Sequence, residues 1–77
     1  MNRKIPKDLV IVDDEPVVVT NPYTGYKATL QPDAVAVYDW IKGSEMTGHS
    51  KDMQTGLEWF RKYEPKAYMI LLDQVTV

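Results

Sequence analysis

A chain of 77 residues has room for one small domain, and its 44% hydrophobic and 26% charged content is typical of a folded globular protein. It contains no cysteine, which excludes disulfides, thiolate metal sites and cysteine nucleophiles. The formal net charge of −2 argues against a dedicated nucleic-acid binder, because such a protein needs a basic face that displaces counterions.

The beginning of the chain is polar and basic. Residues 1–7 contain Pro6 and show no hydrophobic periodicity, so we expect a flexible basic N-terminal arm, followed by one small α+β domain over residues 8–77. No apolar run approaches the roughly 20 residues that span a bilayer. Since small secreted domains usually carry disulfides, we expect a soluble protein in the cytoplasm, away from the membrane.

Residues 9–12 form a short β-branched run that predicts a strand. The densest acidic cluster of the chain follows directly: Asp13, Asp14 and Glu15. This cluster has three interpretations, namely a solvated turn, a hard-cation site or a contact for a basic partner. It lacks the alternating oxygen ligands and central glycine of an EF-hand loop, which favours the solvated turn over a metal site.

The strongest local pattern is a β-hairpin over residues 16–30. Residues 16–20 and 26–30 predict the two strands, and the turn lies between them. Asn21 is suited to accept a hydrogen bond from the backbone just ahead, Pro22 fixes φ at a turn position, and Gly25 supplies the positive φ of a bulge. Alternation places residues 26, 28 and 30 on one face of the returning strand.

Two amphipathic helices are predicted after the hairpin. Pro32 begins the first, which ends either at Gly43 or just before Gly48. Ser50 is the expected N-cap of the second helix. Gly56 within that helix costs about 1 kcal/mol relative to alanine, so we expect the first helix to approach closely there.

The segment after Pro65 fits two structures. Pro65 repeats the helix-start pattern, and the spacing of the apolar residues that follow favours a third helix over residues 66–73. A buried strand over residues 68–72 fits almost as well. The whole pattern predicts an α+β fold: an N-terminal antiparallel β-hairpin, alone or extended by a third strand, packed against two or three short α-helices.

Residues suited to catalysis or metal binding are scarce. His49 is the single histidine, and it lies in a loop without further ligands or an orienting partner, which is typical of a solvated residue. Neither a phosphate-binding glycine pattern nor a nucleophile elbow is present. The sequence therefore predicts a protein that is not an enzyme, with no cofactor and no metal.

Three aromatic residues occupy positions that a core does not require. Tyr23 lies at the tip of the predicted turn, while Trp40 and Trp59 lie beside the main apolar stripes of their helices. Tyrosine and tryptophan commonly anchor protein interfaces, although each tryptophan can instead cover the edge of a small core. The candidate partner-binding residues are therefore Tyr23, Trp40 and Trp59, with Asp13, Asp14 and Glu15 as a charged rim.

Several short motifs lie between residues 21 and 73: NPYTG at 21–25, PDAV at 32–35, Y at 38 with IKG at 41–43, GL at 56–57, FR at 60–61 and LLD at 71–73. In these motifs the chain resembles short proteins of unknown function encoded by tailed bacteriophages. The resemblance implies a phage accessory protein that acts in the cytoplasm of the bacterial host. It implies no functional residue.

These observations favour a non-enzymatic protein-interaction module. The expected partner is a larger protein, such as a host protein whose activity it alters, or a second copy of the chain. One alternative is a nucleic-acid-associated accessory protein that uses the basic arm and Tyr23 for phosphate contact and base stacking. Another is a minor structural component of a particle.

Overall fold

The computed structural model describes residues 4–6, 9–12 and 14–72. Along the chain the elements are β1 (Val17–Thr20), β2 (Lys27–Leu30), α1 (Pro32–Thr47), α2 (Ser50–Tyr63), α3 (Pro65–Ala67) and a π-helix (Tyr68–Leu72). The strands pair antiparallel, and the helices follow them in sequence. The predicted α+β fold, a hairpin followed by helices, is confirmed.

The hairpin turn has the predicted chemistry. Oδ1 of Asn21 accepts a hydrogen bond from the N–H of Tyr23 at 2.8 Å, and Gly25 has a φ of 80°. Asn21 also accepts from the N–H of Gly25 and donates to the C=O of Tyr26, both at 2.8 Å. Two residues therefore oppose one, which is the arrangement of a bulge with glycine in the left-handed region.

One face of the hairpin covers the helices. The register pairs Val17 with Leu30 and continues to the turn. Leu30 is fully buried, Val17 and Val19 are half-buried at the margin of the core, and Val18 on the opposite face is exposed. The β2 strand lies against α1, α3 and the π-helix, so β1 forms the outer edge of the structure.

Residues 9–12 do not form a strand, and the sheet of the described chain has two strands. The predicted strand at this position is wrong. Leu9 packs against the core, and Leu9, Val10 and Val12 lie along α1 near Trp40. Of this run only Leu9 packs against the core, while Val10, Ile11 and Val12 are exposed. A short apolar run does not by itself specify the surface against which it packs.

The first two helices meet at a tight corner. Gly48 ends α1 with a φ of 78°, and its N–H bonds to the C=O of Ser44, which confirms the longer of the two predicted ends. The predicted N-cap of α2 is wrong by one residue. The C=O of His49 accepts from the N–H of Met53 at 3.1 Å, so His49 is the cap and Ser50 is the first helical residue.

The expected close approach at Gly56 is confirmed. A Cβ built on Gly56 lies 2.9 Å from Cδ1 of Ile41, closer still to its Cγ1, and 3.6 Å from Cε3 of Trp40. The neighbour is a side chain of α1, whereas a backbone was the more general expectation. Glycine at this position therefore allows α1 and α2 to pack together.

The segment after Pro65 is helical, so the preferred prediction is confirmed and the strand alternative is wrong. The N–H of Tyr68 donates to the C=O of Glu64 at 2.8 Å, which continues the helical turn from α3. Leu71 and Leu72 are buried against the other helices and β2. No helix of the described ranges is long and apolar enough to cross a membrane.

Candidate functional site

The hairpin turn presents two aromatic side chains on a fixed backbone. Asn21 is only 2% exposed, and its Nδ2 donates to the C=O of Ile70 at 2.8 Å, which ties the turn to the π-helix. Tyr23 is 83% exposed and Tyr26 is also exposed. The predicted position of Tyr23 at an exposed tip is therefore observed. We call Tyr23 and Tyr26 the turn surface.

An apolar groove lies along α1, in the place where the first strand was predicted. Its lining comes from the N-terminal segment, at Leu9, Val10 and Val12, and from α1, at Val35, Ala36, Asp39 and Trp40. The groove has a volume of about 330 Å³. Val10 is 75% exposed and Val12 is 77% exposed, so two valines present most of their surface to solvent beside it. We call these seven lining residues the groove surface.

Two residues of the acidic cluster, Asp14 and Glu15, lie in the chain between the groove segment and the hairpin. Asp14 and Glu15 are exposed and follow Val12 within three residues of the chain. The strand β1 then leads away from them to Tyr23, and four strand residues advance the chain by roughly 13 Å. Asp13 lies outside the described residues. Asp14 and Glu15 thus lie between Val12 and β1 along the chain, and β1 separates them from Tyr23.

Trp59 is a core residue. It is 7% exposed, its Nε1–H donates to the C=O of Lys4 at 2.8 Å, and its ring packs against Phe60 and Tyr63 at centroid distances of 5.4 Å and 5.2 Å. The alternative interpretation of this tryptophan, that it covers the edge of the core, describes it correctly. Trp59 therefore presents little surface to a partner in the folded monomer.

The N-terminal residues that the structure describes are held against α2. Besides the bond from Trp59 to the carbonyl of Lys4, Ile5 packs against the core. The sequence predicts a flexible arm over residues 1–7, and residues 4–6 are the part of that range that the structure describes. A buried indole N–H requires a hydrogen-bond acceptor, and the C=O of Lys4 is the acceptor for Trp59.

No constellation for metal binding is present among residues 4–6, 9–12 and 14–72: no three His, Asp or Glu side chains are grouped there. His49 is exposed, and its Nδ1 lies 3.1 Å from Oγ1 of Thr47. Burial raises the pKa of Tyr38 above its ordinary value of 10.0, and the charges of Asp39 and Glu45 act in the same direction. Tyr38 packs its ring near Phe60, so its role is in the core.

Two features of the candidate site had no usable signal in the sequence. Val10 and Val12 were expected in a strand, and their exposure beside α1 depends on where the segment packs. Asn21 was assigned to the turn, yet its side chain also reaches Ile70, 49 positions along the chain. Contacts at such separations leave no trace in local periodicity.

Comparison with known proteins finds no family model, no curated protein and no solved structure that matches the chain.

Proposed function

We propose that this chain is a non-enzymatic interaction module that binds a partner protein through the groove surface, with Asp14 and Glu15 as a charged rim. The observation that carries the proposal is the pair Val10 and Val12, each about three-quarters exposed beside an apolar groove that Trp40 helps to line. Contiguous exposed apolar surface bordered by polar residues is characteristic of protein interaction sites.

The chemistry of the surface defines the partner. The groove accepts an apolar side chain, and the valines add apolar area around it. The adjacent carboxylates of Asp14 and Glu15 are exposed and favour basic residues at the margin of the contact. The fitting partner segment is therefore apolar at its centre and basic at its end.

The cellular setting of the proposal comes from the resemblance to short proteins of tailed bacteriophages. A phage accessory protein meets the proteins of its host in the bacterial cytoplasm, so a host protein is the first partner to test. The proposed effect is to alter the activity of that protein by occupying one of its surfaces.

A capture experiment with matched variants tests the proposal. The tagged full chain serves as bait in bacterial lysate, and bound proteins are quantified by mass spectrometry. Val10→Ser with Val12→Ser removes apolar surface from exposed positions, so the fold is expected to persist while the specific partner is lost. Asp14→Lys with Glu15→Lys is expected to weaken binding and to reverse its dependence on salt.

Two controls make the result specific to the groove surface. Met46→Ser removes an exposed apolar side chain elsewhere on α1 and is expected to leave capture unchanged. Tyr23→Ala with Tyr26→Ala removes the turn surface and is also expected to leave it unchanged. The proposal fails if the wild-type chain captures nothing above an unrelated bait, or if only the tyrosine variant loses the partner.

A further inference from the structure

The outer edge of the two-stranded sheet is defined by the hydrogen-bond register. Asn21 and Tyr26 form a bonded pair at the end of the hairpin. Because bonded and non-bonded pairs alternate in an antiparallel ladder, Val19–Ala28 and Val17–Leu30 are bonded as well. The N–H and C=O groups of Val18 and Thr20 therefore point away from β2.

These edge groups have no partner among the described residues. The backbone hydrogen bonds of loops, turns and caps in the described ranges include none to Val18 or Thr20. Val18 is 60% exposed and Thr20 is exposed. Natural proteins usually protect such an edge with charged side chains, a bulge or a covering segment, since an open edge pairs readily with another strand. The sequence of β1, VVVT, carries no charge.

The segment that the sequence suggested as a third strand does not cover this edge. Leu9, Val10 and Val12 lie along α1 instead, where they line the groove. The side chains beneath β1 are also incompletely covered, since Val17 and Val19 are half-buried at the margin of the core. An added strand beside β1 would complete both the backbone pairing and the burial of these two valines.

We infer that the β1 edge binds the β1 edge of a second copy of this chain, which joins two hairpins into one four-stranded antiparallel sheet. The strand is complementary to itself. With Val19 opposite Val19 of the second copy on a twofold axis, Val18 faces Thr20 of the other copy in both directions. In both Val18–Thr20 pairs the backbone N–H and C=O groups point away from β2 and toward the other copy. Each pair therefore exchanges two backbone hydrogen bonds.

A second copy suits this edge because β1 carries no charged side chain. Pairing it with another β1 strand therefore places no like charges opposite each other. Strands of four residues form a small contact, so the dimer belongs to the weak, concentration-dependent class. The inference does not depend on the groove surface, which lies at the N-terminal segment and α1. Failure of either proposal leaves the other standing.

Sedimentation equilibrium from micromolar to millimolar concentration tests the pairing. The wild-type chain is expected to shift from monomer to dimer as its concentration rises. Val18→Pro removes an N–H that points away from β2, so the hairpin is expected to persist and the dimer to be lost. Thr29→Pro is the matched control: Thr29 lies directly opposite Val18 and also points its N–H away from the hairpin, but from the other strand.

Hydrogen exchange provides a readout that does not rely on a variant. The amides of Val18 and Thr20 are expected to exchange rapidly in dilute protein and to become protected as concentration rises. The amide of Val19, already bonded to β2, is expected to keep its protection throughout. The inference is overturned if the wild-type chain stays monomeric with concentration-independent exchange at Val18 and Thr20, or if a folded Val18→Pro variant still dimerises.

Discussion

At the residue scale, replacing either of two helical glycines by alanine is expected to change the free energy of unfolding in opposite directions. Gly43 in α1 has open space where a Cβ would lie, whereas a Cβ on Gly56 in α2 would collide with Ile41. Helix propensity alone predicts that alanine stabilises both positions by up to about 1 kcal/mol. We expect Gly43→Ala to raise the free energy of unfolding by up to that amount.

Gly56→Ala is expected to lower the free energy of unfolding by about 1–3 kcal/mol, because Ile41 must move within a packed core. Urea denaturation of both variants provides the measurement, with each serving as the control for the other. Stabilisation by Gly56→Ala would contradict the packing of α1 against α2 at this position.

Asn21 is expected to be the most sensitive residue of the turn. Asn21→Ala removes the donor to Ile70 and the acceptor for the N–H of Tyr23, both in a buried position. The expected loss of unfolding free energy is about 1–3 kcal/mol, since each hydrogen bond contributes about 0.5–1.5 kcal/mol. Thr24→Ala in the same turn removes an exposed acceptor and is expected to change stability by less than about 0.5 kcal/mol. Chemical denaturation distinguishes these outcomes, and equal effects would contradict the role of Asn21.

Tyr38 predicts a change of stability at alkaline pH. Burial, followed by the charges of Asp39 and Glu45, raises the pKa of Tyr38 in the folded chain above 10.0. The folded state therefore favours the neutral phenol more than the unfolded state does. This contribution is present below about pH 10 and is lost as the pH rises through the pKa of the folded state.

Denaturation curves from about pH 9 to about pH 11 measure this loss. Tyr38→Phe keeps the ring contact with Phe60 and is expected to flatten the alkaline decline. Tyr23→Phe removes an exposed hydroxyl from the turn and serves as the control that retains the decline. Identical profiles for wild type and Tyr38→Phe would contradict the assignment.

At the scale of elements, one hydrogen bond attaches the N-terminal segment to α2. Trp59→Phe keeps an aromatic ring in the core but removes the donor to the C=O of Lys4. We expect the fold to remain while the peptide bond after Lys4 becomes more accessible. Limited digestion with trypsin, followed by mass spectrometry, measures the cleavage rate there.

Trp40→Phe is the matched variant for this experiment, because the same chemical change is made on α1, in the groove surface. It is expected to leave cleavage after Lys4 at the wild-type rate. A Trp59→Phe variant that is cleaved no faster than wild type would show that packing of Ile5, and not the indole hydrogen bond, holds the segment.

At the scale of the whole molecule, stability depends on one thin core. Phe60 is fully buried and contacts the rings of Tyr38 and Trp59, so it links α1 to α2. Phe60→Ala is expected to cost about 3–5 kcal/mol. The total free energy of unfolding of a domain of this length is roughly 4–12 kcal/mol. We therefore expect the melting temperature to fall steeply, with a substantial unfolded population at 37 °C at the low end of that range.

Phe60→Leu leaves a smaller cavity and is expected to remain folded with a moderate loss of stability. Thermal melts followed by circular dichroism compare the two variants. A Phe60→Ala variant as stable as wild type would mean that the helices and hairpin do not share a single core.

Features that depend on a few neighbouring residues were available from the sequence alone. The turn at Asn21 and Gly25, the helix start at Pro32 and the helix end at Gly48 all follow from φ preferences and capping, which act within one or two turns of chain. Gly56 also predicted the contact between α1 and α2, because glycine is unfavourable within a helix unless close packing requires it.

Only the tertiary structure decided which apolar surfaces are used inside the monomer. Trp40 and Trp59 looked alike in the sequence, yet Trp59 is buried and donates a hydrogen bond to Lys4, 55 positions away, while Trp40 lines an open groove. Residues 9–12 had the composition of a strand, yet only Leu9 packs against the core and the other three are exposed. Hydrophobic periodicity reports that a side chain seeks burial, but the surface that buries it is selected by contacts between distant parts of the chain.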